Sequence, residues 1–252
     1  MGQERLSPDS ARRLAIQNVA RWGDTDVFPL SPDNHIFHDR TDDIASELKR
    51  IDDDFESALA AQAPLVEGAL ALVTYEGFRW VAQIDPVWNA YFLSLVLQVA
   101  QQIEDVRIPE GNQSIFSYRF HPDSETASLF ASAAWHDFSE ATQAIAANYE
   151  YVAVCDIADF YGRVYHHRIE NSLRRLPDSG EIPSKVDKLL SRFSGGTSYG
   201  LPVGGPAARI LSELLLNATD RLLTANGIKF CRFADDYRPV SYTHLTLPTR
   251  DL

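Results

Sequence analysis

Two adjacent carboxylates, Asp235 and Asp236, close the run Ile228-Lys229-Phe230-Cys231-Arg232-Phe233-Ala234-Asp235-Asp236-Tyr237. Ile228, Phe230 and Phe233 supply the bulk of a short strand, so the acids fall side by side in a tight turn at its end. Like charges that close repel, and each raises the other's pKa unless something positive is bound there. Aspartate offers the short, hard oxygen donors that Mg²⁺ prefers. A second acid of the same kind, Asp156, ends the β-rich run Tyr151-Val152-Ala153-Val154-Cys155-Asp156. If the two strands are neighbours in one sheet, Asp156 and Asp235 project to one spot and can share two metal ions about 4 Å apart, the arrangement that clamps the attacking and leaving oxygens of a phosphoryl transfer.

The scaffold for such a site is available. The chain has 252 residues, 45% of them apolar, enough for one large domain or two small ones with a real core. No apolar run has the length needed to cross a bilayer. The start, Met1-Gly2-Gln3-Glu4-Arg5, lacks the apolar core of a signal peptide. Cys155 and Cys231 are the only cysteines, each within a strand expected to be buried. Two unpaired thiols suit a reducing cytoplasm better than a disulfide framework. The net charge of -12 argues against a surface coated for nucleic acid. The acid is front-loaded, however, with Asp42, Asp43, Asp52, Asp53 and Asp54 in the first quarter.

Periodicity and punctuation place the elements. Residues 7–22 read as a helix capped at Ser7 with Pro8 in its first turn, and residues 23–40 as a loop. Thr41 is expected to cap a long amphipathic helix with Ile44, Leu48, Ile51 and Phe55 on one face and the acidic run solvated on the other. A strand is expected around Arg79-Trp80-Val81, then a helix opened by Asp85-Pro86 and running to about Glu104. A third long helix is predicted over 124–149, with Leu129, Ala133, Phe138 and Ile145 buried. Beyond the strand at 151–156 come helices near 165–175 and 184–193, the turn-rich segment Gly195 to Pro206, a helix over 206–225, and the strand with its acid turn. The stretch Ser241-Tyr242-Thr243-His244-Leu245-Thr246-Leu247-Pro248-Thr249-Arg250 is similar to the in-frame translation of a sequencing adapter, so the natural chain is expected to continue differently beyond about Arg238.

Taken together, these segments resemble the fingers and palm of a reverse transcriptase. Asp156 with Tyr161 five residues on is similar to the first palm motif, Gly200-Leu201-Pro202-Val203-Gly204 before a long helix to the second, and Phe233-Ala234-Asp235-Asp236 to the aromatic-x-Asp-Asp box. Upstream, Arg79 followed by Ile84-Asp85-Pro86 resembles the fingers arginine segment, and Ser117-Tyr118-Arg119 the third fingers motif. An aromatic-x-Asp-Asp alone is more often a turn than a metal site; these motifs in the family's order, over roughly residues 75–238, are far more specific. The valine form of the glycine loop is similar to the bacterial abortive-infection and phage-defence clades.

The resemblance implies an α+β fold: a right-hand polymerase palm, an antiparallel sheet with packed helices, preceded by helical fingers, with the thumb missing. Residues 1–70 would be an N-terminal helical extension, 71–150 fingers, 151–240 a truncated palm and 241–252 a non-native tail. It implies RNA-directed DNA synthesis from dNTPs on an RNA template, with a nucleic-acid or protein primer and, in some relatives, a noncoding RNA. Asp156, Asp235 and Asp236 would be catalytic and would hold two Mg²⁺ ions, or Mn²⁺ in their place, with the backbone carbonyl of Ile157 as a further ligand. Arg79, Tyr161, Gly200 and Pro202 would bind the nucleotide, the Tyr161 ring excluding a 2′-hydroxyl. Arg119 and Gly204 would face the template, although Arg119 equally suits a brace within the fingers. The adjacent His166 and His167 point apart on a helix, so one helix cannot clamp a metal with both, and no Cys/His cluster has zinc spacing. Two other classes stand beside this reading: a palm nucleotidyltransferase that works without a template or makes RNA or a cyclic nucleotide, and a non-catalytic nucleic-acid-binding module.

Overall fold

The computed structural model describes residues 5–23, 25–28, 32, 34–72, 77–132 and 134–242. The chain is α+β, with small antiparallel sheets and packed helices. Helix α1 (Pro8–Trp22) begins as the sequence predicts, the Ser7 side chain accepting from the Ser10 N–H. Within the expected 23–40 loop, Asn34–Asp39 forms a short helix, α2. Thr41 is not the cap of α3 (Thr41–Asp53): it lies inside the first turn and its hydroxyl donates to Phe37 O at 2.8 Å. The expected long helix also breaks at Asp54, whose carboxylate caps α4 (Phe55–Ala61). Nor is the acidic run wholly a solvated face. Asp52 turns inward to accept from Tyr91 Oη at 2.9 Å and Lys185 Nζ at 2.8 Å, with Arg12 at 3.3 Å. Burial opposes its charge, but these partners outweigh it and hold the carboxyl below its ordinary range.

Strands β1 (Val66–Leu72) and β2 (Phe78–Ile84) form an antiparallel ribbon. Leu70 pairs with Trp80 and Leu72 with Phe78 on one face, while Arg79 and Val81 occupy the other. Asp85 caps α5 (Pro86–Val106) through the Val87 and Trp88 amides. Nearly every side chain of α5 from Trp88 to Ala100 is buried, because α1 and helices that follow Asp156 pack around it.

The predicted 124–149 helix is only partly formed. Its second half is α6 (Ala134–Ala146), with Phe138 buried and Ile145 half-buried; Ala133 lies outside the described residues. Its first half is a hairpin. Asp123 accepts from Glu125 N at 2.9 Å and Thr126 Oγ1 at 2.6 Å, and Phe120 bridges to Phe130. Leu129 is buried there, but outside any helix. The local side-chain bonds of Asp and Thr offered the backbone an alternative to helix, and it won.

Strands β3 (Tyr151–Val152) and β4 (Cys155–Asp156) share one register against β6 (Asp236–Ser241). They are two ends of the single expected strand. Ala153 N donates to Pro239 O at 2.9 Å, but Pro239 has no N–H to return, and the ladder lapses there. Strand β5 (Lys229–Phe233) flanks β6 on its other side, and residues 114–116 run beside β5, with Arg232 N donating to Ser114 O at 2.7 Å. Ser241 pairs with Tyr151, and the Tyr242 ring packs on Tyr149, so the first two residues of the expected tail are seated on the sheet. Residues 243–252 lie outside the described residues.

Helices α7 (Phe160–Arg163), α8 (His166–Arg174), α9 (Ile182–Phe193) and α10 (Pro206–Ala225) follow the first acid strand. One apolar cluster runs from α1 through α5 to α8, α9 and the first half of α10. A second, made of Ile108, Ile115, Leu216, Phe230 and Tyr237, lies between α10 and the four-stranded sheet. Burying this much apolar surface, at roughly 25 cal/mol per Å², is what fixes the sheet against α10.

Candidate active site

Asp156, Asp235 and Asp236 lie at one end of the four-stranded sheet. Asp156 and Asp236 are directly opposite on β4 and β6, which puts both side chains on one face of the sheet. Asp235 is the second residue of the two-residue loop between β5 and β6, beside them. The favoured two-residue hairpin turns have positive φ at the first loop position, and Ala234 has φ +51° there. Burial pushes the Asp235 carboxyl up from its ordinary value, the like charges of Asp156 and Asp236 add to this, and Arg79 pulls the other way. Arg79, on the ribbon face opposite Trp80, is thus in electrostatic reach of the acid loop.

A divalent cation fits this donor set chemically. Hard carboxylate oxygens are gathered where their mutual repulsion is felt, and a cation would relieve it. The side chains themselves are not drawn into a ready cage. Among the described residues no group of three His, Cys, Asp or Glu is set to hold a metal ion, and Asp236 is ion-paired with Arg238 at 3.0 Å. Ile157 packs its side chain on the second apolar cluster.

Tyr161 lies in α7, packed against the main core, and shares a hydrogen bond with Ser212 of α10; burial raises its phenol well above the ordinary range. Its carbonyl accepts from Leu201 N at 2.8 Å, while Gly200 N donates to Val164 O at 2.8 Å. The glycine loop is therefore stitched to the segment that follows Asp156. His166, expected only to start a helix, adds a third stitch, Nε2 to Gly200 O at 2.8 Å. Gly200 and Gly204 have φ of +106° and +99°, values that favour glycine. At Gly204 an added Cβ would also overlap Thr25 Oγ1. Pro202 lines a shallow recess with Ala82 of β2 and Phe92 of α5.

Arg119 does not reach outward. It is 2% exposed, and its guanidinium donates to Glu104 Oε1 at 2.7 Å, Ile108 O at 2.8 Å and Ile115 O at 3.2 Å. Of its two expected roles, these surroundings fit the brace and leave no group for a template.

The sequence reading missed the charges beneath the acid loop. Arg232 is 0% exposed between Glu213 and Asp220, and Arg107 shares Glu213 at 2.5 Å. Burial works against the Arg232 charge, but the two carboxylates outweigh it and raise its pKa; burial likewise opposes the Glu213 charge, and Arg107 and Arg232 outweigh that and lower its pKa. A signal was present: Glu213, Asn217 and Asp220, spaced four and three apart, all lie on the buried side of α10. Polar residues at core spacing imply buried partners.

No protein-family model matches the chain, and no curated protein matches it. Among solved structures, a chain of a "Partial Cas6-RT-Cas1--Cas2 complex" is similar at 19% identity and a TM-score of 0.37, over 93% of this chain and 37% of that one. The chain thus spans little more than a third of that relative's length, and at this score the likeness carries no argument about function.

Proposed function

We propose that this chain is the fingers-and-palm part of an RNA-directed DNA polymerase of the bacterial phage-defence kind, extending a primer with dNTPs. The observation that carries the reading is the placement of Asp156 opposite Asp236, with Asp235 in the adjoining loop. Acids far apart in the chain share one sheet end, and the glycine loop is bonded to the segment that follows Asp156.

Asp156, Asp235 and Asp236, with the Ile157 carbonyl, would hold the Mg²⁺ ions. When bound, these supply a lowered pKa at the primer 3′-hydroxyl and charge neutralisation at the leaving pyrophosphate. The chain's own groups do the rest. Arg79, whose charge already acts on Asp235, forks onto the triphosphate oxygens. Tyr161, held by Ser212 and by the glycine loop, presents a ring beneath the sugar where a 2′-hydroxyl would clash. Gly200 and Gly204 keep the loop backbone open to close approach by base and nucleotide. Residues 71–150 act as fingers and 151–240 as palm in this reading.

The test is primer extension by the full chain with Mg²⁺ and dNTPs. Asp235→Ala should abolish incorporation while leaving the circular dichroism spectrum intact. Full incorporation by a folded Asp235→Ala protein would sink the proposal.

A further inference from the structure

We infer that Arg232 is a positioning residue that sets the acid loop by gripping the carbonyl of Ala234. Its functional meaning rests on the polymerase reading; its geometry does not. All five N–H donors of a guanidinium have acceptors here. Nε and Nη2 fork onto Asp220 at 2.9 and 2.8 Å. Nη2 and Nη1 reach Glu213 at 2.7 and 3.1 Å, with Ser117 Oγ at 3.4 Å. The backbone of Arg232 is fixed as well, between Ser114 O at 2.7 Å and Phe116 N at 3.0 Å. A group held on so many sides is a fixed point.

From that point a single bond leaves toward the site: Nη1 donates to Ala234 O at 2.8 Å. Ala234 is in the left-handed region, which a residue with a Cβ resists. Its carbonyl shares one rigid peptide plane with the Asp235 N–H. Holding that oxygen fixes the plane that leads into Asp235, and with it the position of the Asp235 Cα from which the side chain departs. Asp220 also accepts from Tyr237 Oη at 3.0 Å, so the residue after Asp236 is tied to the same carboxylate. Both anchors lie on α10, the helix that starts at Pro206, directly after the glycine loop. One rigid helix therefore relates the glycine loop to the acid loop. Lysine, with three donors and no planar fork, cannot make this set of bonds.

Two variants of the full chain, Arg232→Lys and Asp220→Asn, are compared with wild type by amide hydrogen exchange and by Mn²⁺ titration followed by electron paramagnetic resonance. Asp220→Asn keeps the guanidinium and removes one anchor charge, so it reads the same contact if Arg232→Lys does not fold. In folded Arg232→Lys, exchange at residues 234–236 should rise about 10-fold or more relative to residues 229–231, with a smaller rise in the same direction for Asp220→Asn. The Mn²⁺ half-saturation should move up in parallel, and kcat for dNTP incorporation should fall about 10- to 100-fold with KM little changed. Unchanged exchange at the loop, or a rise spread evenly over the protein, overturns the inference. A loosened loop with wild-type Mn²⁺ binding overturns it too. If wild type binds no Mn²⁺, the polymerase reading fails, and the exchange data alone still decide whether Arg232 sets the loop.

Discussion

Asp156 and Asp236 are cross-strand partners, facing each other across β4 and β6. That pairing turns two motifs separated by four helices into one site, and most of what can be measured here follows from it.

The acid site makes stability depend on pH. The Asp235 carboxyl is raised, first by burial and then by Asp156 and Asp236. The folded state therefore keeps its proton above the ordinary carboxylate value, where the unfolded chain has released it. Stability must fall as pH rises from that ordinary value through the raised one. In urea unfolding without divalent metal, Asp235→Asn should flatten this slope. Asp220, also raised by burial, contributes equally to both proteins and cancels in the difference. At neutral pH, Mg²⁺ should raise the melting temperature of wild type and not of Asp235→Asn.

The sugar-gate role proposed for Tyr161 is separable from the fold. The Tyr161 ring packs on the core while its hydroxyl meets Ser212. Tyr161→Phe should keep the preference for dNTPs, and Tyr161→Ala should raise rNTP relative to dNTP incorporation about 10- to 100-fold, read as a ratio of kcat/KM. Equal ratios in wild type and Tyr161→Ala would remove Tyr161 from this role.

The two glycines of the loop should respond differently to alanine. At Gly200 a Cβ meets nothing within 4 Å, so the cost is the positive φ alone, about 1 kcal/mol. At Gly204 the same strain is joined by overlap with Thr25 and Val27, and the loss should reach about 2–4 kcal/mol. Denaturant midpoints of Gly200→Ala and Gly204→Ala test the order.

Glu213→Ala would leave Arg107 and Arg232 facing each other in the interior. Removing one partner of a buried ion network costs about 3–5 kcal/mol. Equilibrium unfolding should show that loss, whereas Glu47→Ala, which breaks an exposed pair with Arg50, should change stability by less than about 1 kcal/mol.

The acid strands, the glycine loop and the α10 helix were legible because each is a local pattern: bulk followed by acid, glycine where φ turns positive, apolar residues at helical spacing. Residues 124–132 misled for a local reason as well, since Asp123 and Thr126 bond to each other and close a turn that alanine content conceals. The β1 strand, rich in Ala and Leu, is extended because β2 lies beside it, a tertiary cause that no window of sequence contains. Arg119 and Arg232 look alike on paper. Only packing shows that both are braces.

If Asp156, Asp235 and Asp236 form one cation site, Mn²⁺ titrated into the full chain and followed by electron paramagnetic resonance should bind there and be displaced by Mg²⁺. Either Asp156→Asn or Asp235→Asn should weaken that binding at least about 10-fold. Binding of equal strength in wild type and in a variant lacking all three carboxylates would contradict it.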